Sequence, residues 1–332
     1  LLTVILGPII LAIAACLGVY MYVTQPFAGS GEPSNVTVDI ERMEKHVRIM
    51  SEDFHKRNFL NRDNLAKCVE FIRGNFEAAG AEVEIQPFQV AAQEIEAWEV
   101  TIPAQTFENV SAIFGKGKGR KLIIGAHYDS FNETPGADDN ASGVAGLIEL
   151  AYLLQKYPPD REIELVAYCL EEPPFFATDE MGSYAHAKHV KETHSELPVG
   201  VIVLEMIGYF TDEPDSQDYP APFMDKMYPN KGNFIAVVGN MDQRDFVGRV
   251  KGCMKGTTSL PIESLIGPRS ITGIDFSDHR NYWPFGINAV MITDTSFYRN
   301  KEYHQVGETA DRLDFHRMGD VVVMVYESTR TL

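Results

Sequence analysis

Residues 121–143, KLIIGAHYDSFNETPGADDNASG, constrain this chain more than any other stretch. They open with an apolar run, Leu122 to Ala126, of the kind that forms a buried strand of a parallel sheet. Polar groups follow that a strand would not bury without reason: His127, Asp129, Asp138 and Asp139. A turn built on Pro135 and Gly136 lies between them. After Asn140 the spacing of Val144, Leu147, Ile148, Ala151 and Leu154 predicts a helix with one apolar face. A strand thus delivers an imidazole at its carboxyl end, a loop delivers carboxylates, and a helix leaves. In open α/β sheets that edge binds ligands. Imidazole with carboxylate suits a divalent cation, zinc before others. The same groups could instead hydrogen-bond one another and cap the helix, and this stretch alone does not separate the two.

The pattern recurs. Residues 162–170, EIELVAYCL, read as a strand that runs into Glu171 and Glu172, and Pro173 and Pro174 exclude helix there. The apolar run 199–204 ends in Glu205. Such repetition on separate strands is hard to ascribe to helix capping. The last clear strand, 288–293, leads into a loop holding Tyr298, Tyr303 and His304. Taken together, His127, Asp139, Glu172, Glu205 and His304 could hold two zinc ions with one bridging carboxylate. Such a pair polarises a carbonyl and generates a hydroxide at neutral pH. Glu171 fits a general base. Asp129 could accept the other ring N–H of His127 and fix its tautomer.

The rest of the chain supplies a frame. Helical patterns cover 38–57, 62–79, 181–190, 243–254 and 315 to the end, and strand patterns cover 81–90, 98–102, 109–114 and 234–238. Residues 211–232, rich in Pro, Asp, Tyr and Asn, read as a surface excursion near Glu205. The expected architecture is α/β: three layers, α/β/α, around a central mixed, mostly parallel sheet. Residues 1–23 are apolar and uncharged, long enough for a transmembrane helix. The expectation is a single-pass anchor with the catalytic domain, 38–332, outside the cytoplasm, joined by a linker over 24–37. The alternative is a lipoprotein signal, in which Ile13-Ala14-Ala15-Cys16 leaves Cys16 lipidated. A net charge of -18 excludes a nucleic-acid partner. The four cysteines form no CxxC pair and read as small apolar residues. There is no GxSxG elbow and no phosphate-cradling motif. His186, His189 and His194 fall on an expected exposed helix and its exit.

These residues carry a resemblance. HYDS at His127, PGADDNASG from Pro135, EE at Glu171 and YH at Tyr303 resemble the zinc aminopeptidases of metallopeptidase family 28. The resemblance runs from about Asn109 to the end. It implies a zinc-exopeptidase fold with two zinc ions per chain. His127, Asp139, Glu172, Glu205 and His304 would be the ligands, and Glu171 the base. Tyr303 resembles a tyrosine that some members use to stabilise the oxyanion. Outside the resemblance, Asp138 could cap the helix or support the site from behind, and Asp278 and His279 could support it or serve as structural hydrogen-bonding groups. The implied function is removal of N-terminal amino acids from peptides through a metal-bound hydroxide. The chain departs from the family at Glu205, where many members carry Asp, at Pro173 and Pro174 in place of a Gly turn, and at Glu308 in place of Asp. Two rival readings share the fold: a glutaminyl cyclase-like acyltransferase with one zinc, and a non-catalytic receptor.

Overall fold

The computed structural model describes residues 2–332; within the first helix, the surroundings of Gly7 and of the residues from Ile10 onward are described. The chain runs α1 (Leu2–Thr24), α2 (Ile40–Arg48), α3 (Arg62–Ala78), β1 (Glu82–Val90), β2 (Gln93–Ile95), β3 (Val100–Ile102), β4 (Gln105–Phe114), β5 (Leu122–His127) and α4 (Gly143–Lys156). It continues through β6 (Ile163–Tyr168), α5 (Gly182–Thr193), β7 (Gly200–Glu205), β8 (Ile235–Asn240), α6 (Arg244–Met254), β9 (Ile262–Gly267), β10 (Ala289–Thr293) and α7 (Phe315–Thr331). An eight-stranded sheet has the order β1-β4-β6-β5-β7-β10-β8-β9, and β2 and β3 pair as a separate hairpin. Its centre, β6, β5, β7 and β10, is parallel. β1 and β4 join antiparallel at one side. At the other, β8 is antiparallel to β10 and β9 parallel to β8.

Strand alternation divides the core in two. Leu122, Ile124, Ile202 and Leu204 pack with helices α2, α3, α4, α6 and α7 on one face. Ile123, Val166, Val201 and Val203 meet Ala187 and Val190 of α5, together with Tyr282, on the other. The layers are therefore helix, sheet, helix, as the alternation of period two requires. The parallel strands point their carboxyl ends the same way. His127 is the last residue of β5 and Glu205 the last of β7.

Three expectations are corrected, and one strand falls outside the patterns read from the sequence. Helix α4 is not amphipathic: every residue from Gly143 to Ala151 is buried. It lies between the sheet and its companion helices, and its one carboxylate there, Glu149, is matched by the Arg42 guanidinium at 2.8 Å. Strand β9 escapes the apolar pattern because Glu263 and Ser264 interrupt it. His186 is not on the surface but 2% exposed, covered by Tyr282 from a distant loop. The transmembrane anchor is not upheld. Much of its first third lies outside the described side chains, and among the described residues no helix is long and apolar enough to cross a membrane. The end of α1 is tied to the domain. The Thr24 carbonyl accepts hydrogen bonds from Lys251 Nζ (2.7 Å) and Ser264 Oγ (2.8 Å), and Gln25 Nε2 donates to the Arg244 carbonyl (2.8 Å). These bonds fix the helix end at Thr24 and Gln25, and with no membrane-crossing helix among the described residues the single-pass, extracytoplasmic placement loses its basis. Cys16, the alternative lipid-bearing residue, is exposed on α1, and all four cysteines are free.

Candidate metal centre

Five side chains from five segments meet at the carboxyl edge of the sheet. His127 Nε2 lies 3.2 Å from Asp139 Oδ1 and 3.3 Å from Glu205 Oε2. His304 Nε2 lies 3.2 Å from Asp139 Oδ2 and 3.2 Å from Glu172 Oε2. The result is two three-residue clusters, His127–Asp139–Glu205 and Asp139–Glu172–His304, that share Asp139 through its two oxygens. Both imidazole Nε2 atoms are buried and make no hydrogen bond, and neither does Glu172 Oε1. Donor atoms this close, yet not aligned for hydrogen bonding, converge on common points between them. Buried polar atoms without partners are rare and call for an occupant. Imidazole and carboxylate in this proportion suit zinc.

The electrostatics agree. Burial opposes charge on His304, but Glu172 and Asp139 outweigh it and raise the imidazole to about 10. His127 is likewise raised, burial again being outweighed by Glu205 and Glu171. Asp139 is held low because its two imidazole neighbours outweigh its burial. Glu172 is pushed up to about 7 by burial and by Asp139. Glu205 is also raised, burial first, despite His127. Carboxylates are in excess here, so the side chains alone do not balance their charge.

Local structure aims these groups. Asp129 accepts hydrogen bonds from the backbone N–H of Glu171 (Oδ1, 3.1 Å) and of Glu172 (Oδ2, 3.0 Å). Its carboxylate is thus engaged by the two-glutamate loop, and at His127 Nδ1 the nearer oxygen is the Asp129 carbonyl at 3.2 Å, with the carboxylate at 3.5 Å. Glu171 Oε2 stands 3.8 Å from His127 Nε2, and burial, with Glu205 and Glu172 nearby, raises its carboxyl well above the usual range. The His304 ring is stacked between Phe131 (centroids 4.1 Å, 7°) and Tyr303 (3.8 Å, 17°). Glu308 Oε1 accepts from the backbone N–H of Asp138 and Asp139 at 3.0 and 2.6 Å. Asp138 Oδ1 accepts from the Gly208 N–H at 2.9 Å, so it ties two loops together rather than joining the metal clusters. Asp278 is buried with neither oxygen hydrogen-bonded, raised to about 7 chiefly by burial, while His279 Nε2 bonds the Ile274 carbonyl at 2.8 Å.

Several supports were not apparent from the sequence. Arg57 is fully buried, and its guanidinium donates to the carbonyls of Tyr128, Met50, Pro135 and Gly136 at 2.7–3.0 Å. Asn140 donates to the Leu204 carbonyl (2.8 Å) and accepts from the Met206 N–H (3.1 Å), gripping Glu205 on both sides. Ser277 Oγ donates to Glu205 Oε2 at 2.7 Å. Asn140 stands within the recognised motif and Ser277 beside Asp278, but Arg57 carries no local signal at all. Beside the clusters a cavity of about 270 Å³ lies between the sheet and the 211–232 excursion, lined in part by Glu171, Glu172, Glu205 and Tyr303.

The sequence profile of Peptidase family M28 matches residues 109–328. The chain belongs to peptidase family M28. The peptidase is 46% identical over 291 residues to an uncharacterized protein, YfbL, of Escherichia coli K12, covering 85% of each chain. It also resembles the solved structure of a leucine aminopeptidase precursor from Bacteroides thetaiotaomicron, with a TM-score of 0.66 and 17% identity over 90% of this chain and 99% of that one. A glutaminyl cyclase from the same organism superposes with a TM-score of 0.65 at 18% identity, covering 90% and 99%. At these identities the two likenesses establish the shared fold.

Proposed function

We propose that this peptidase is a zinc-dependent aminopeptidase with two cations per chain. His127 and Glu205 would hold one, His304 and Glu172 the other, and Asp139 both. The observation that carries this reading is the Asp139 carboxylate, which offers one oxygen to each of two imidazole–carboxylate pairs. When bound, the cations would supply Lewis acidity, polarising the scissile carbonyl and acidifying the attacking water. Glu171, unbonded and made more basic by burial, takes the proton of that water and returns it to the leaving amine. Asp129 keeps Glu171 and Glu172 aimed through their backbone N–H groups. Tyr303 donates its hydroxyl to the developing oxyanion. The adjoining cavity takes the side chain of the N-terminal residue.

The test is metal analysis of the purified protein together with hydrolysis of aminoacyl-coumarin substrates before and after chelation. Two zinc ions per chain, loss of hydrolysis on chelation and recovery with zinc are expected. Hydrolysis that survives complete removal of metal overturns the reading. The cyclase likeness supports a second reading, a mono-zinc glutaminyl cyclase. The intact second cluster, Asp139–Glu172–His304, weighs against it. One zinc per chain with conversion of N-terminal Gln to pyroglutamate would put it first.

A further inference from the structure

One cross-strand row runs the length of the cavity floor. Glu205 of β7 pairs with Thr293 of β10, Thr293 with Ala236 of β8, and Ala236 with Glu263 of β9. Residues in one row share a face of the sheet. Glu263 therefore faces the same side as Glu205, three strand spacings away, roughly 14 Å along the sheet at about 4.8 Å per step. Between the two carboxylates stand only small side chains, Thr293 and Ala236, flanked by Val238, Leu265 and Met291 on the cavity wall. The slot thus has an acidic end at the metal clusters, an apolar middle and the Glu263 carboxylate at its other end, with Asp218 also on its lining but exposed and paired with Lys301. At about 270 Å³ it exceeds the ~150 Å³ that holds a benzene ring in an engineered cavity. A leucine side chain would leave its far end empty.

Glu263 is placed to receive something. Its side chain is 28% exposed, it lines the cavity, and burial raises its carboxyl despite Lys251 and Lys255 nearby. Lys251 Nζ stands 3.8 Å away and spends its hydrogen bonds elsewhere, on the Thr24 carbonyl and Ser264 Oγ. Tyr219 and Tyr228, stacked with centroids 5.5 Å apart, line the same end. Their hydroxyls are already given to the carbonyls of Pro229 and Ser264. A carboxylate with free acceptor capacity beside aromatic rings is a site for a cationic tip. The net charge of -18 would draw such substrates in.

We propose that Glu263 selects N-terminal lysine or arginine: the slot takes a long apolar stem and the carboxylate at its end meets the cationic tip. This rests on the aminopeptidase reading and adds a substrate class to it. The sharpest probe is the pair lysyl- and norleucyl-coumarin, which share the stem and differ by the ammonium group. The zinc-loaded wild-type protein should cleave the lysyl substrate with a kcat/KM about tenfold or more above the norleucyl one, with arginyl on the lysyl side. Glu263→Gln and Glu263→Leu should each lower the lysyl-to-norleucyl ratio about tenfold or more, since a site built to pair with a polar group discriminates strongly when the pairing is lost. The ratio is internal to each preparation, so incomplete folding of a variant does not move it. Calorimetry with the free amino acids should give tighter binding of L-lysine than of L-norleucine. A wild-type ratio at or below one, or a ratio that either substitution leaves in place, overturns the inference while the aminopeptidase stands. Failure to cleave any of these substrates overturns the aminopeptidase and the inference with it.

Discussion

This sheet buries imidazole against carboxylate in two places. At the carboxyl edge His127 Nε2 lies 3.2 Å from Asp139; within the layer beneath α5, His186 Nε2 lies 3.1 Å from Glu164. Distance and burial are alike, yet the surroundings differ. Around Glu164 each group has a partner. Lys121 Nζ meets Glu164 Oε2 at 2.7 Å, His186 Nδ1 pairs with the Tyr282 hydroxyl at 2.7 Å, and that hydroxyl pairs with Tyr168 at 2.6 Å. Cationic and anionic groups are matched and the network is closed. At the edge both imidazoles keep a buried nitrogen without a hydrogen bond, and carboxylates outnumber cations. A satisfied network rigidifies a core, whereas an unsatisfied one keeps its binding capacity for a ligand. The contact between histidine and acid does not mark a site; the missing partners do.

The contrast can be broken by mutation. The largest effect is expected from Glu171→Gln at the edge: turnover falls by roughly 10²–10⁴, the range for loss of a general base, with bound zinc unchanged by metal analysis. A variant that keeps wild-type turnover removes Glu171 from the chemistry. In the closed network, Glu164→Gln should cost on the order of 1–3 kcal/mol of stability, because it removes the buried carboxylate that meets both His186 and Lys121, while Glu162 at 3.3 Å still holds Lys121. Denaturant unfolding measures this, and the folded fraction should keep its activity. Catalytic loss without loss of stability there would erase the distinction drawn between the regions. Tyr303→Phe should lower turnover on the order of 10²-fold with little change in zinc content, the scale of one oxyanion donor. An effect confined to KM would reassign Tyr303 to binding.

A pH series sharpens the comparison further. Burial works against charge on Glu164, but His186 and Lys121 outweigh it and hold its carboxyl below the usual range. A carboxyl lowered in the folded state contributes stability above its unfolded value of about 4.3, and loses it as the pH falls below that. The stability gap between wild type and Glu164→Gln should therefore be full at neutral pH and narrow progressively in acid. A gap that widens in acid would reverse the assignment of Glu164 as a charged partner.

Much of the frame was legible because it is written in local patterns. Apolar runs ending in His127, before Glu171, and at Glu205 became β5, β6 and β7, and their shared direction brought the polar ends to one edge. The two-glutamate turn could be placed because Pro173 and Pro174 bar a helix. The misreadings arose where a neighbour remote in sequence decides the environment. The helix bearing His186 looked exposed because Tyr282, 96 residues on, is what covers it. The apolar start reads as a membrane anchor from its composition, yet no described helix is long and apolar enough to cross, and the end of α1 is fixed at Thr24 by Lys251 and Ser264, 227 and 240 residues away. Strand β9 was missed because the polar residues that interrupt it sit at a sheet edge beside a cavity, where they need not be apolar.

By itself the chain determined which residues could act as donors and at which strand ends they emerge, since periodicity and turn chemistry operate over a few neighbours. Only the tertiary structure decided that Asp139 gives one oxygen to each imidazole, that Arg57 clasps the loop before it, and that Glu263 lies in the same row as Glu205. Those are distances between segments far apart along the backbone. They are set by how the sheet orders its strands and by what the packed layers leave without a partner.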